Sequence, residues 1–317
     1  MVAFLKECPL TATLLDNIMA RPNIIVKALT ILFLFFNLSI SAIAEVQSYP
    51  KIKVVTSFSI LENLVQILGG NHVNIINLVG RNADAHTYQP KPSDIVAISN
   101  ADLIFFNGLE FEGWILRIIA AKEFENKRII ASKGVNFLKN GKEIDPHVWQ
   151  SFDNIRIYVE NITTALIKNR PDFSDDFQKN KEDFFNDLTS LENKLRLKIS
   201  KIPKEKRVVI TSHDAFGYLG RDFDIVFLAP IGLSLDTKAS AEDVAKIINQ
   251  VRAMNVKALF IENISDPRLL NQISNETNTT IGGRLYSDAL STINGDADTY
   301  LNMMEHNIQS LINAFKI

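Results

Sequence analysis

Three histidines and one aspartate lie in short polar segments that follow apolar runs or a proline-marked turn, and their chemistry suits a divalent metal ion. His86 stands in Asp84-Ala-His86-Thr-Tyr-Gln-Pro90, after the run Val73 to Val79. His147 stands in Asp145-Pro-His147-Val-Trp149, and His213 in Thr211-Ser-His213-Asp-Ala-Phe216 after Val208-Val-Ile210. Asp288 stands in Tyr286-Ser-Asp288-Ala-Leu290, after Ile281-Gly-Gly-Arg-Leu285. Neutral imidazole is a good ligand for zinc, manganese and similar ions, and a carboxylate adds charge neutralisation. The four positions spread from residue 86 to residue 288, so a site built from them is assembled from two halves of the chain, two ligands from each, and is not a local finger. Spacing alone leaves the simpler alternative open, that these are separate surface residues on loops.

Other reactive side chains read more simply. His72 falls in a helix-to-strand turn, Gly69-Gly-Asn-His72, and His306 in the final helix, where packing or capping accounts for it. Glu110 and Glu112 flank Phe111 at a strand-to-helix turn, where negative charge suits a helix N-terminus. Ser212 precedes His213 directly, and adjacent residues point apart, so the pair is not read as a nucleophile and base. There is no phosphate-binding Gly-rich loop with lysine and no G-x-S-x-G elbow.

The elements that must position these residues alternate. Strands are expected at 52–57, 73–79, 103–106, 128–131, 208–211, 225–228, 256–261 and 280–285, and helices at 58–68, 93–100, 114–122, 153–169, 241–254, 267–276 and 300–315. Gly69-Gly70 closes the first helix. Ser240 and Asp243 open another in the manner of a capping box. Alternation at this spacing implies parallel βαβ units, whose ligands sit beyond the carboxyl ends of the strands. Between the halves, Ser174 to about Lys201 is an unbroken helical pattern with an apolar stripe of Phe177, Phe184, Leu188, Leu191 and Leu195. Asp175 and Asp176 lie in its first turn and Lys194, Arg196, Lys198 and Lys201 towards its end, matching the helix dipole. Such a helix is about 40 Å long.

The chain has 317 residues, 46% hydrophobic and 22% charged, enough for two ordinary globular lobes. A net charge of −2 gives no electrostatic case for nucleic acid. Cys8 is the single cysteine, which excludes a disulfide framework and a thiolate metal site. Arg21 and Lys27, the apolar run Ala28 to Ile40 and the small residues Ala42-Ile-Ala44 form a secretory signal peptide. Its apolar core of about 13 residues is short of the roughly 18 to 20 that a membrane span needs. Cleavage is expected after Ala44, with Met19 the expected start and 1–18 an extension. No cysteine at the cleavage region offers a lipid anchor, and the mature chain is expected in the periplasm.

Taken together, the motifs resemble the periplasmic metal-binding receptors of zinc and manganese ABC importers, the cluster A-I solute-binding proteins. The segments that carry the resemblance are the four above together with Asn107-Gly-Leu-Glu-Phe-Glu-Gly-Trp114 and Thr299-Tyr-Leu-Asn-Met-Met-Glu-His-Asn307, and it extends from Ile52 to Phe315. It implies an α/β fold of two lobes, each a mostly parallel sheet flanked by helices, joined by one long rigid helix: a first lobe at 45–170, the helix at 171–202 and a second lobe at 203–317. It carries ligand roles onto His86, His147, His213 and Asp288, with Zn²⁺ (or Mn²⁺) as the transported ligand and an ABC permease in the inner membrane as partner. The receptor is expected to be a monomer and not an enzyme, and lobe separation on release would split the ligand set two and two. Two departures bear on the metal. Zinc-dedicated members often carry a His/Asp-rich loop, and none lies between His86 and His147. Many manganese receptors have a glutamate where this chain has His213. Three imidazoles favour zinc. A periplasmic zinc hydrolase, with Glu112 or Asp145 as base, and an adhesin are the alternatives from other functional classes.

Overall fold

The computed structural model describes residues 49–236, 239–254 and 256–316. The proposed leader, residues 1–44, lies outside them. Residues 51–317 form one compact unit.

The first lobe begins with β1 (Ile52–Phe58), α1 (Ser59–Gly69), β2 (Val73–Val79), α2 (Pro92–Asn100) and β3 (Leu103–Phe106). It continues with α3 (Gly113–Ile118) and β4 (Arg128–Ile130). The strands pair in parallel in the order β2-β1-β3-β4, with Ile52 opposite Val73 and Val54 opposite Leu103. Gly70, at φ +53°, lets the chain leave α1 in a left-handed turn. A small antiparallel pair, β5 (Lys139–Asn140) and β6 (Glu143–Ile144), then leads to His147. The helix α4 (Phe152–Asn169) follows, its N-terminus capped by Ser151 accepting from the Asn154 N–H.

The connecting helix α5 (Ser174–Ile199) has 26 residues. Phe177, Phe184, Leu188, Leu191, Leu195 and Ile199 are its buried stripe, and it packs on α1, on α4 and on the C-terminal helix. It is therefore part of the core as well as a connection.

The second lobe contains β7 (Val208–Ile210), α6 (Gly217–Phe223), β8 (Val226–Leu228), α7 (Ala241–Met254) and β9 (Ala258–Glu262). It ends with α8 (Arg268–Thr277), β10 (Ile281–Leu285) and α9 (Tyr300–Phe315). Its parallel sheet has the order β10-β9-β7-β8, which is the order of the first sheet when the strands are counted within their own lobe. In both, the chain crosses over between the first and third strands, the place where such sheets leave a crevice at their carboxyl ends. Ser240 and Asp243 form the reciprocal cap expected at α7, with the Asp243 N–H donating to the Ser240 hydroxyl and the Ser240 N–H to the Asp243 carboxylate.

The second sheet divides its two faces between two apolar clusters with the period of two that a strand imposes. Val209, Ala258, Phe260 and Leu285 join the main core, which runs through both lobes and the connecting helix. Val208, Ile210 and Leu259 join a smaller cluster with Ile247, Ile248 and Val251 of α7 and Leu270 and Ile273 of α8.

Two short features were not expected from the sequence, α6 and the β5–β6 pair. The helix expected at 114–122 stops at Ile118.

Candidate metal centre

His86 lies on the loop between β2 and α2. Its N–H donates to Oδ1 of Asp84 at 2.8 Å, and the Thr87 hydroxyl donates to the other oxygen of the same carboxylate at 2.7 Å, so the aspartate shapes the turn. The indole N–H of Trp114 donates to the Ala85 carbonyl at 2.8 Å. The ring of Phe111 stands edge-on to the His86 imidazole with centroids 4.5 Å apart. Phe111 is brought there by a loop in which Gly108, Leu109 and Glu110 all have positive φ, at 84°, 54° and 65°. Left-handed non-glycine residues are costly and persist only where the surroundings hold them. Here Glu112 does so. Its buried carboxylate accepts from the Asn107 and Gly108 N–H groups at 2.7 and 3.2 Å and from the Ser57 hydroxyl at 2.5 Å. Burial pushes this carboxyl up to about 7, and those three donors pull in the opposite direction.

His147 follows β6. One oxygen of Asp145 accepts both its backbone N–H, at 3.0 Å, and its ring Nδ1–H, at 2.8 Å. That sets the tautomer and leaves Nε2 as the free donor. His213 follows β7, and Glu262 at the end of the neighbouring β9 serves it in the same way. Its backbone N–H donates to Oε1 at 2.9 Å, and its ring Nδ1 lies 2.5 Å from Oε2. Asp288 follows β10, on a loop tied to the first lobe: the carbonyl of Ser287 accepts from the Trp149 indole and the Gln150 amide, each at 2.8 Å.

The four side chains meet. One donor atom from each of His86, His147, His213 and Asp288 falls within 4.8 Å of the others. Nε2 of His86 is 3.3 Å from Nε2 of His147. Oδ2 of Asp288 is 3.2 Å from Nε2 of His213 and 3.5 Å from Nε2 of His86, and Oδ1 is 3.6 Å from Nε2 of His147. A tetrahedron of nitrogen and oxygen donors about 2.0–2.1 Å from a zinc ion has edges of about 3.3–3.4 Å. Both Asp288 oxygens and Nε2 of His213 are buried without a hydrogen-bond partner. Buried acceptors without a partner are costly, and four donors that converge in this way could hold a cation.

The electrostatics agree. Burial alone raises the Asp288 carboxyl, but His147, His213 and His86 outweigh it and hold the group well below the usual carboxylate range. Burial alone lowers His213, but the charges of Glu262 and Asp288 outweigh it and hold that imidazole well above its ordinary value. Phe58, Phe111 and Trp149 meet edge-to-face or tilted at centroid distances of 5.1, 5.0 and 4.7 Å and form an apolar wall beside the histidines. The alternative candidates lie elsewhere. Asp145 is turned to the back of the His147 ring and Glu112 holds its own loop. Ser212 bonds to Ser265 at 2.7 Å. His72 pairs with Asp176 at 2.7 Å, and His306 contacts the Arg284 carbonyl at 3.0 Å. Glu262 escapes a sequence reading; its one signal is a charge closing the otherwise apolar run Ala258 to Ile261.

The sequence profile of the family described as "Zinc-uptake complex component A periplasmic" matches residues 54–314. The chain belongs to this family. Relatives that resemble it include the metal ABC transporter substrate-binding lipoprotein SsaB of Streptococcus sanguinis, 29% identical over 82% of this chain and 88% of that protein. The manganese ABC transporter substrate-binding lipoprotein PsaA of Streptococcus anginosus is 29% identical over 84% and 90%. Among solved structures, the periplasmic zinc-binding protein TroA of Treponema pallidum superposes with a TM-score of 0.81 at 27% identity, over 84% of this chain and 99% of that one. A manganese-bound periplasmic metal-binding protein of Candidatus Liberibacter asiaticus gives 0.74 at 31% identity, over the same shares. The chain is thus a substrate-binding component of a metal ABC importer and not an enzyme. No helix among the described residues is long and apolar enough to cross a membrane.

Proposed function

We propose that His86, His147, His213 and Asp288 together hold one Zn²⁺ ion as cargo, in the periplasm, for delivery to an ABC permease in the inner membrane. The observation that carries this is the convergence of four donors, three of them wholly buried, within 4.8 Å of one another. Four protein donors fill the shell and leave no position for a reactive water, which is the geometry of a carrier. In this reading the mature receptor is a monomer released by cleavage after Ala44. It is divided into a first lobe at 45–170, the connecting helix at 171–202 and a second lobe at 203–317.

Manganese is the second reading, and one observation favours it: Asp288 turns one oxygen to His147 and the other to His86 and His213. A carboxylate binding through both oxygens gives a fifth position, and manganese prefers more oxygen donors than zinc. The names of the relatives include both metals. Metal analysis of the purified protein followed by competitive titration with zinc and manganese decides between them. One ion per chain with zinc preferred is the expected result. Failure to bind either ion at one per chain, or unchanged affinity in both His86→Ala and Asp288→Ala, sinks the proposal.

A further inference from the structure

His147 and His213 each have a carboxylate behind the ring, and the two carboxylates are placed differently. Glu262 ends β9, the strand beside β7, so the support of His213 comes from its own sheet. Asp145 belongs to the first lobe, as His147 does, yet it is packed against the second. It stands just after the β5–β6 pair, where the chain turns towards His147. Its Oδ1 accepts the backbone and ring N–H groups of His147. Its Oδ2 lies over Gly217, the first residue of α6: a methyl group placed on Gly217 falls 2.8 Å from that oxygen. A side chain there pushes the carboxylate away from the imidazole, so this close approach requires glycine.

Tyr218, the next residue of α6, holds the backbone of Asp145. The hairpin pairs Lys139 with Ile144 and Asn140 with Glu143. Leu138 and Asp145 come next, at a position where an antiparallel pair exchanges two bonds. One of these is direct, from the Asp145 N–H to the Leu138 carbonyl at 3.0 Å. The buried phenol of Tyr218 takes the place of the other. Its oxygen accepts the Leu138 N–H at 2.9 Å, and its hydroxyl donates to the Asp145 carbonyl at 2.6 Å. A side chain of the second lobe is thus wedged into a hairpin of the first. Burial, with the Asp145 charge nearby, raises the Tyr218 hydroxyl well above its ordinary value, so it keeps the proton it donates. Nearer the hairpin turn, the Asn140 amide donates to Asp214 of the second lobe at 2.9 Å.

We propose that Gly217 and Tyr218 are positioning residues for the metal centre: through Asp145 they fix the ring of His147, so the second lobe supplies part of the support of a first-lobe donor. The inference rests on the reading of His147 as a ligand. Gly217 leaves room for the carboxylate, and Tyr218 fixes the backbone that carries it. An imidazole already held in one orientation and one tautomer loses less freedom when it takes the ion. His213 has no such dependence on the other lobe, because Glu262 lies in the neighbouring strand.

The test is the zinc affinity of the full chain, measured by competition with a chelator, together with the ring N–H resonances of His147 and His213 in the zinc-loaded protein. Tyr218→Phe, which keeps the ring and removes the hydroxyl, and Gly217→Ala are each expected to weaken binding roughly tenfold. An Asp145→Ala chain, itself weakened, has no carboxylate to displace, and in it both substitutions are expected to change Kd by less than about twofold. Tyr218→Phe is also expected to quicken solvent exchange of the His147 Nδ1–H and to leave that of His213 unchanged. Ile273→Ala, in the small cluster of the second lobe, is the control for lost stability and is expected to hold Kd. Unchanged affinity in both variants overturns the proposal. So do losses that add in full to that of Asp145→Ala, equal changes at the two histidines, or an equal loss in Ile273→Ala. If Gly217→Ala does not fold, Tyr218→Phe decides alone. Zinc binding that survives His147→Ala unchanged means that the ligand reading itself has failed. A large loss in His147→Ala with none in Tyr218→Phe sinks only the positioning role.

Discussion

The two sheets share one strand order and differ in what covers them. In the first, neighbouring residues such as Val54 and Val55, or Ile104 and Phe105, point to opposite faces and both end in the main core. In the second, Val209 and Phe260 face that core while Val208, Ile210 and Leu259 face the small cluster under α7 and α8. The lesson is that equal topology does not mean equal burial. The first lobe, α5 and α9 form a platform, and the second lobe adds an outer layer that holds fewer apolar side chains. Each lobe nevertheless gives its own buried histidine a carboxylate, Asp145 in one and Glu262 in the other.

Cutting into the two cores tests this contrast most strongly. Phe105→Ala, in the first sheet, is expected to cost about 3–5 kcal/mol in denaturant unfolding. Ile273→Ala, in the small cluster, is expected to cost about 2–3 kcal/mol, and hydrogen exchange in α7 and α8 should quicken before the rest of the molecule responds. Equal costs with uniform exchange would break the contrast. The carboxylates come next. Glu262→Gln and Asp145→Asn are each expected to weaken zinc binding by roughly 10–100-fold, or about 1.4–2.7 kcal/mol, as measured by competition with a chelator, while thermal unfolding of the metal-free protein changes less than it does for Phe105→Ala.

The dependence on pH sharpens the same pair. Ligation needs neutral imidazole. His213 is held above its ordinary value by Glu262 and Asp288, so the metal-free site keeps a proton there that the ion must displace. Affinity is therefore expected to fall as pH drops, starting above about 6.5 and not only below it. Glu262→Gln should move the onset down, whereas Asp145→Asn should leave the His213 contribution in place. An affinity that is flat from neutral pH down through the histidine range contradicts the assignment of His213. The smallest effect is expected at the edge of the outer layer. Ser240→Ala removes the cap of α7 and should cost about 1 kcal/mol, read as faster exchange in that helix alone.

Much of the architecture was legible from the alternation of apolar runs. The strand at 73–79 and the helices at 241–254 and 300–315 have the bounds expected, because long periodic segments with clear caps leave little choice. Helix α6 was hidden because its seven residues, Gly217 to Phe223, carry too few turns to show a period, and β5 and β6 have two residues each. The four candidate ligands could be named, but nothing in their spacing brings residue 86 next to residue 288. That depends on sheet order and on the ties between the Asp288 loop and the first lobe, which are long-range pairings. Glu262 was overlooked because an apolar run conceals the charge that ends it, and its partner is 49 residues away.

The scatter of the four donors along the chain has a consequence for when the site exists at all. Asp288 lies beyond β10, the last strand, and reaches its place only when the loop after it has bonded to Ser59, Trp149 and Gln150. Contacts of such sequence separation form late, because chain closure must be completed before they can form. A chain lacking its final segment, or one still unfolded, holds histidines but no site. If these four residues are the ligands, occupancy by the ion reports that the whole molecule has finished folding, and a partly synthesised or nicked receptor does not compete for cargo with an intact one.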